Sequence, residues 1–304
     1  IERRMHYKKH PTKRNRKRSA GLKWVLVSSY GYLRFREFKL GIPSSHMAIG
    51  AYAREILLSS AELAEAKGFS VVHGIVDSLY LTKPGITEED VRALCKDIEY
   101  HAGIPVSFEG IFRWVTFLPS INNSKRPLPS RYYGVFQNGD IKARGIEVRQ
   151  RNTPRIVKDF QGKALTDMGQ CDTVAQIRAR LGAYCRMIRG LCTTLSTYDA
   201  EELMIRMRIG KTEYRNNIPQ RRIVHALRRQ GMCLLPGQSI GYVMSSRGAV
   251  LPEAYAHDPD IYAYRKALVR ALFILMQPFD ITRDEIMELS RRDRQTTLAE
   301  HTEW

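Results

Sequence analysis

Thirty-five residues, Phe69 to Gly103, constrain the fold more than any other part of the chain. Phe69 to Ile75 reads as a strand, Val76-Asp77 as a turn, and Ser78 to Leu81 as the hairpin partner. Two strand-like runs on either side of a two-residue break predict an antiparallel hairpin. Pro84-Gly85 closes the unit. Thr87 and Asp90 then have the spacing of a capping box, and Val91, Leu94, Cys95 and Ile98 fall on one face of a helix that Gly103 stops. A chain that goes from hairpin to helix over so few residues builds an antiparallel sheet with helices packed on it, an α+β fold.

The flanking segments extend this pattern. Upstream, "GLKWVLVSSYGYL" reads as a helix ending near Gly31. Ser44-Ser45 offer an N-cap for a helix carrying Ile49, Tyr52, Ala53, Ile56, Leu57, Ser60 and Leu63, which ends at Lys67-Gly68. Downstream, 104–148 is β-like, and Asn138-Gly139 between two strand-like runs predicts a type I′ turn. After about residue 160 helices dominate. Val174, Ile177, Leu181, Tyr184, Ile188 and Leu191 form one long stripe with Asp172 as its cap. A short strand is predicted around Leu203 to Ile209, and Pro219 and Gly231 bracket another helix. Asp258-Pro259 opens a helix from Asp260 to about Met276, and Thr282 with Glu285 caps the last. This half reads as mostly helical with two short strands. No internal repeat or low-complexity segment is present.

Charge narrows the function. Lys and Arg number 49 against 31 Asp and Glu, a net charge of +18. Such an excess points to a polyanion, nucleic acid first, against the plainer alternative of a generally basic protein. The first twenty residues are dense in it, from Arg3 and Arg4 through Lys17 and Arg18, and read either as a solvated arm or as a phosphate-contacting surface. No apolar run spans a bilayer and no signal-peptide pattern occurs, so no membrane partner is expected. The five cysteines contain no CxxC pair, which argues against a zinc ribbon and fits a reducing compartment. The chain begins at Ile1 inside a basic, helix-like stretch and reads as a fragment lacking its upstream part.

Asp77 is the one carboxylate at the tip of an otherwise oily hairpin. It is either a turn residue or part of a metal site, because a hairpin tip lies beyond the hydrogen-bonded ladder and leaves a carboxylate free for a hard cation. Taken in order, the motifs around it resemble the C-terminal part of family B DNA-directed DNA polymerases, closest to a divergent archaeal paralogue. "LKWVLVSSYGY" is similar to the fingers motif of Lys, three residues, Asn-Ser, one residue, Tyr-Gly, matching at Lys23, Ser28, Tyr30 and Gly31, with Val27 at the Asn position. Arg4 and Lys8 resemble the Arg-xxx-Lys pair of the first fingers helix. "HGIVDS" is similar to Tyr-Gly-Asp-Thr-Asp-Ser, with Asp77 at the second Asp and Ile75 at the first. "VSFEGIF" resembles a third acidic position, at Glu109, for which an exposed strand residue is the alternative. "SRYYGVFQNGDIKARGIEVRQRNTP" matches the duplex-tracking element at Arg131, Tyr132, Gly145, Glu147 and Arg149, with Pro129, Ser130 and Asn152 departing from it. A cross-strand pair stabilising the hairpin is the alternative there. The stretch from "GKTEYRNNIPQRR" through "DPDIYAYRKALVRALFILMQPF" looks like the thumb, with Lys211, Tyr214, Arg215, Arg221 and Arg222 as phosphate contacts.

The resemblance implies partial helical fingers at 1–40, an antiparallel palm with packed helices at 41–160 and a mostly helical thumb at 161–304. It implies template-directed DNA polymerase activity, with nucleotidyl transfer to a primer 3′ end in replication or repair. Two Mg2+ ions would act, at a site incomplete in this stretch and served by Asp77 and Glu109, so the fragment alone is not expected to be active. Arg4, Lys8, Lys23 and Tyr30 would hold the nucleotide. The implied partners are primer-template DNA, deoxynucleoside triphosphates and replication accessory proteins, in a cytoplasmic, nucleoid-associated setting. The second reading, favoured by Ile75, is a catalytically inactive polymerase-like scaffold that binds DNA. Retention of Lys23 and Asp77 favours the enzyme.

Overall fold

The computed structural model describes residues 1–120, 126–211 and 213–291. The structure is α+β: helices predominate, with three small antiparallel sheets among the described residues. The chain divides into two compact units, 1–109 and from Gly110 on.

The first unit opens with α1 (Glu2–Lys9) and α2 (Lys13–Leu33), which fold back on each other around His10–Thr12. Thr12 caps α2 by accepting from Asn15 N at 3.1 Å, and the Arg18 guanidinium lies 5.6 Å from the Tyr7 ring centre. Helix α3 (Pro43–Ala66) starts one residue ahead of the expected serine cap, with Ile42 at the N-cap. Proline at the first helical position has φ preset and no N–H to satisfy, so Ser44 and Ser45 are drawn inside the first turn. The predicted hairpin is present as β1 (Ser70–Ile75) and β2 (Ser78–Thr82). Helix α4 (Glu88–Ala102) carries the Thr87–Asp90 capping box and ends on Gly103 at φ 65°. Ala64, Phe69, Leu94 and Ile98 form the buried centre that ties α3, the hairpin and α4 together.

In the second unit β3 (Phe112–Pro119), β4 (Pro127–Phe136) and β5 (Ile141–Arg144) make a meander in the order β3-β4-β5. The β4–β5 turn is not type I′. Gly139 has φ 87° but Asn138 does not have positive φ, and Gly139 N donates to Phe136 O at 2.9 Å. Phe136 N also donates to Asp140 O at 2.9 Å, so the loop is a three-residue turn with a glycine bulge rather than a two-residue one. Helix α5 (Arg155–Met168) follows, an element that sequence periodicity did not single out. The single stripe expected over 174–191 is broken into α6 (Val174–Ala179) and α7 (Leu181–Thr193). Thr173, not Asp172, caps α6 through a box with Gln176. At the break Arg180 pairs with Asp167 and its Nε lies 3.1 Å from Cys171 Sγ, tertiary partners that a helical periodicity cannot foresee.

A short α8 (Ala200–Leu203) leads into β6 (Ile205–Arg208). Helix α9 (Pro219–Arg229) precedes β7 (Ser239–Ser245) and β8 (Gly248–Val250), giving a sheet β6-β7-β8 of three strands where two were expected. Helices α10 (Ile261–Met276) and α11 (Arg283–Leu289) complete the described chain. Thr282 caps α11 by accepting from Glu285 N at 3.2 Å. The main core gathers Phe160, Met168, Tyr184, Ile188, Leu268 and Leu272 with residues of the β3–β5 sheet.

Candidate functional site

The tip of the β1–β2 hairpin is held in an unusual backbone. Val76 has φ 54°, and Asp77 N donates to Ile75 O at 2.7 Å, closing a three-residue γ-turn. A β-branched residue at positive φ is disfavoured by contact between Cβ and the carbonyl, at roughly 1–2 kcal/mol. Val76 gains nothing by burial, since it is 81% exposed. The turn turns the exposed Asp77 carboxylate out of the ladder, where Ser78 Oγ, 3.4 Å away, is its hydrogen-bonding neighbour. Asp77 is thus a hard oxygen donor available to a cation. Glu109 is also exposed, but it lies in the irregular segment ahead of β3 rather than on a strand. Among the described residues no three His, Cys, Asp or Glu side chains gather into a metal-binding group. The donor chemistry suits Mg2+; the donor number does not, so these residues alone do not make a two-metal centre.

The expected nucleotide-binding residues fall on the two arms of one helical hairpin: Arg4 and Lys8 one turn apart on α1, Lys23 and Tyr30 two turns apart on α2. Lys8 and Lys23 are exposed, and no hydrogen bond or ion pair joins the four. The Nε of Arg4 is shielded from solvent with no hydrogen-bond partner among the described residues. A shielded, unpaired guanidinium nitrogen costs free energy until an acceptor arrives. Tyr30 stacks on His46, ring centres 4.2 Å apart and planes at 21°, so α3 fixes its ring. His46 was not legible beforehand; it lies on no motif.

In the second unit the expected DNA contacts separate into two kinds. Arg131 turns its Nε onto Gly145 O at 3.0 Å, stitching β4 to the residue that follows β5. Tyr132 is 3% exposed with its ring 5.4 Å from Phe117, which places it in the packing of the sheet and not on a surface. Arg149 is exposed on a single helical turn, Glu147–Arg149. That turn is pinned from below by residues the motif did not flag. Gln161, fully buried, accepts from Val148 N at 2.6 Å and donates to Glu147 Oε2 at 3.0 Å and Ala271 O at 2.9 Å. Lys211, Tyr214, Arg215 and Arg221 converge on one loop-to-helix junction. The Tyr214 hydroxyl accepts from Gly210 N at 3.2 Å, and Arg221 Nη1 donates to Arg215 O at 3.2 Å. Helix α9 buries Ile223, Val224 and Leu227 and leaves Arg221 and Arg222 outside, with the Arg222 guanidinium against Gly248, where any side chain would displace it.

No protein-family model matches the chain. Known proteins do. DNA polymerase 2 of Saccharolobus solfataricus is 30% identical over 178 residues, 59% of this chain and 26% of that protein. DNA polymerase 1 of Aeropyrum pernix is 24% identical over 283 residues, 90% of this chain and 28% of the relative. The solved family B DNA polymerase of the hyperthermophilic archaeon Pyrobaculum calidifontis superposes with a TM-score of 0.51 at 25% identity, covering 90% of this chain and 36% of that one. Fold and ordered motifs therefore make the chain similar to part of a DNA polymerase. More narrowly, it is a homologue of archaeal DNA polymerases, and its likeness to family B runs over most of its length. It spans roughly a quarter to a third of the length of the curated relatives it matches.

Proposed function

We propose that this chain serves template-directed nucleotidyl transfer to a primer 3′ end, supplying part of a DNA polymerase. The observation that carries the reading is Asp77, an exposed carboxylate presented by a strained turn where the resemblance puts a metal ligand. Two-metal phosphoryl transfer needs more than one carboxylate, so the remaining ligands must come from beyond the described residues. Arg4, Lys8 and Lys23 suit the triphosphate, since fixed cations at helical spacing match its oxygens. Tyr30, held by His46, would meet the nascent base pair. Arg149 and the Lys211–Arg222 group would hold product duplex by its backbone, without regard to sequence. On this reading 1–40 would act as partial fingers, 41–160 as palm and 161–304 as thumb, with residues 292–304 outside those described. Mg2+ is the cofactor proposed, with primer-template DNA and deoxynucleoside triphosphates as partners.

A specific observation favours a second reading. Ile75 stands where the family motif has its first Asp, and the described residues gather no metal group, as a DNA-binding scaffold without catalysis would allow. Primer extension by the full-length protein, with Mg2+ or Mn2+, decides between them. Slow extension is expected, abolished by Asp77→Ala while duplex binding stays within about twofold. No extension by the wild type under either metal leaves the scaffold.

A further inference from the structure

We infer that the α1–α2 hairpin is a sequence-independent binding surface for unpaired nucleic acid, with Trp24 as its base-stacking platform. This goes beyond holding one triphosphate and does not depend on the transfer reading. Residues 1–40 carry 13 Lys and Arg against 2 acids, so they hold +11 of the chain's +18. None of those 13 forms an ion pair with a described residue, whereas elsewhere Lys67, Arg92 and Arg180 each do. Lys13, Arg14, Arg16, Lys17 and Arg18 point all round the first turns of α2, because successive residues rotate by about 100°. One small ligand on one face could not reach them; a flexible polyanion can follow them.

The same helix offers the bases a place to lie. Trp24 is 71% exposed and has no ring contact with a described residue, and α2 buries none of its 21 residues. Lys17 and Trp24 are two turns apart on one face, about 10 Å along the axis. Between them Ala20 and Gly21 leave a dip, and a Cβ built on Gly21 would meet nothing within 4 Å. A strand can lie close there, its phosphates on the lysines and a base face on the indole. Cationic track plus bare aromatic is how single strands are gripped without reading sequence, and a duplex hides the base faces that the indole would need.

The test is fluorescence anisotropy of the complete polypeptide with labelled oligo-dT and with a blunt duplex, over a salt series. Trp24→Ala should weaken oligo-dT binding about tenfold or more and leave the duplex unchanged, while Trp24→Phe keeps most of the affinity. Removing Arg14, Arg16 and Lys17 together should flatten the salt slope for single strands by about 2. Asp77→Ala should change none of this, so failure of the catalytic reading shows separately. Oligo-dT affinity of Trp24→Ala within about twofold of wild type, or an unchanged slope in the triple variant, overturns the inference. Loss of self-association in Trp24→Ala with oligo-dT binding intact also overturns it and marks the patch as a contact between copies.

Discussion

Replacing Gln161 by Leu should cost the second unit about 3 kcal/mol, for reasons that can be followed atom by atom. Gln161 is fully buried, and its amide serves three groups at once: Val148 N–H, Glu147 Oε2 and the Ala271 carbonyl. Leucine fills a similar volume but strands Val148 N–H and Glu147 Oε2, while the Ala271 carbonyl, inside α10, keeps its bond within the helix. Each stranded neutral group costs roughly 1–3 kcal/mol, and a carboxylate more. Glu147 is only 5% exposed, and its other oxygen sits 3.5 Å from Arg270 Nε, so it keeps part of its compensation. The added apolar burial returns about 1–2 kcal/mol. The net loss is a large share of a domain stability of about 5–15 kcal/mol. Urea denaturation read by Trp114, in a Trp24→Phe, Trp304→Phe background that leaves it the one tryptophan, should show the midpoint falling by about 1–2 M. Because Val148 N–H anchors the turn carrying Arg149, duplex affinity should weaken as well. Adding Glu147→Leu should recover part of the stability, since the buried charge is then gone. A loss below about 1 kcal/mol, or no recovery in the double variant, would refute the hub.

Gly134→Ala should destabilise the meander by about 1–3 kcal/mol, because the new Cβ would lie 2.7 Å from Trp114 O and 2.9 Å from Val115 Cα, backbone that cannot step aside; a thermal melt checks it. Burial holds the Tyr133, Tyr184 and Tyr264 hydroxyls above the ordinary tyrosine range. Their folded pKa exceeds the unfolded one, so the stabilisation is whole below about pH 10 and is lost above it, where the unfolded chain binds fewer protons. Urea midpoints should therefore drop steeply between about pH 10 and 11, and a flat profile would contradict the burial. Of the five thiols, exposed Cys233 should react first with a thiol reagent, and buried Cys171, Cys185 and Cys192 only on unfolding.

What the amino-acid order determined by itself is local. The β1–β2 hairpin, the Thr87–Asp90 box with Gly103 behind it, and Pro219 and Gly231 around α9 were all legible, because caps and turns are made by residues within four positions of one another. The ordered motifs of the polymerase likeness were legible for the same reason, each being a short run. Tertiary structure decided the rest. Arg180 breaks a continuous apolar stripe where Asp167 and Cys171 receive it, and Glu147 is a buried partner of a glutamine that no motif marks. The β4–β5 turn takes an extra residue as Gln137 N bonds Ile111 O across the neighbouring strand. Tyr132 is packed inside although its motif suggested a contact. In each case the deciding partner lies far along the chain, and its interaction energy exceeds the small local preferences that a sequence pattern records.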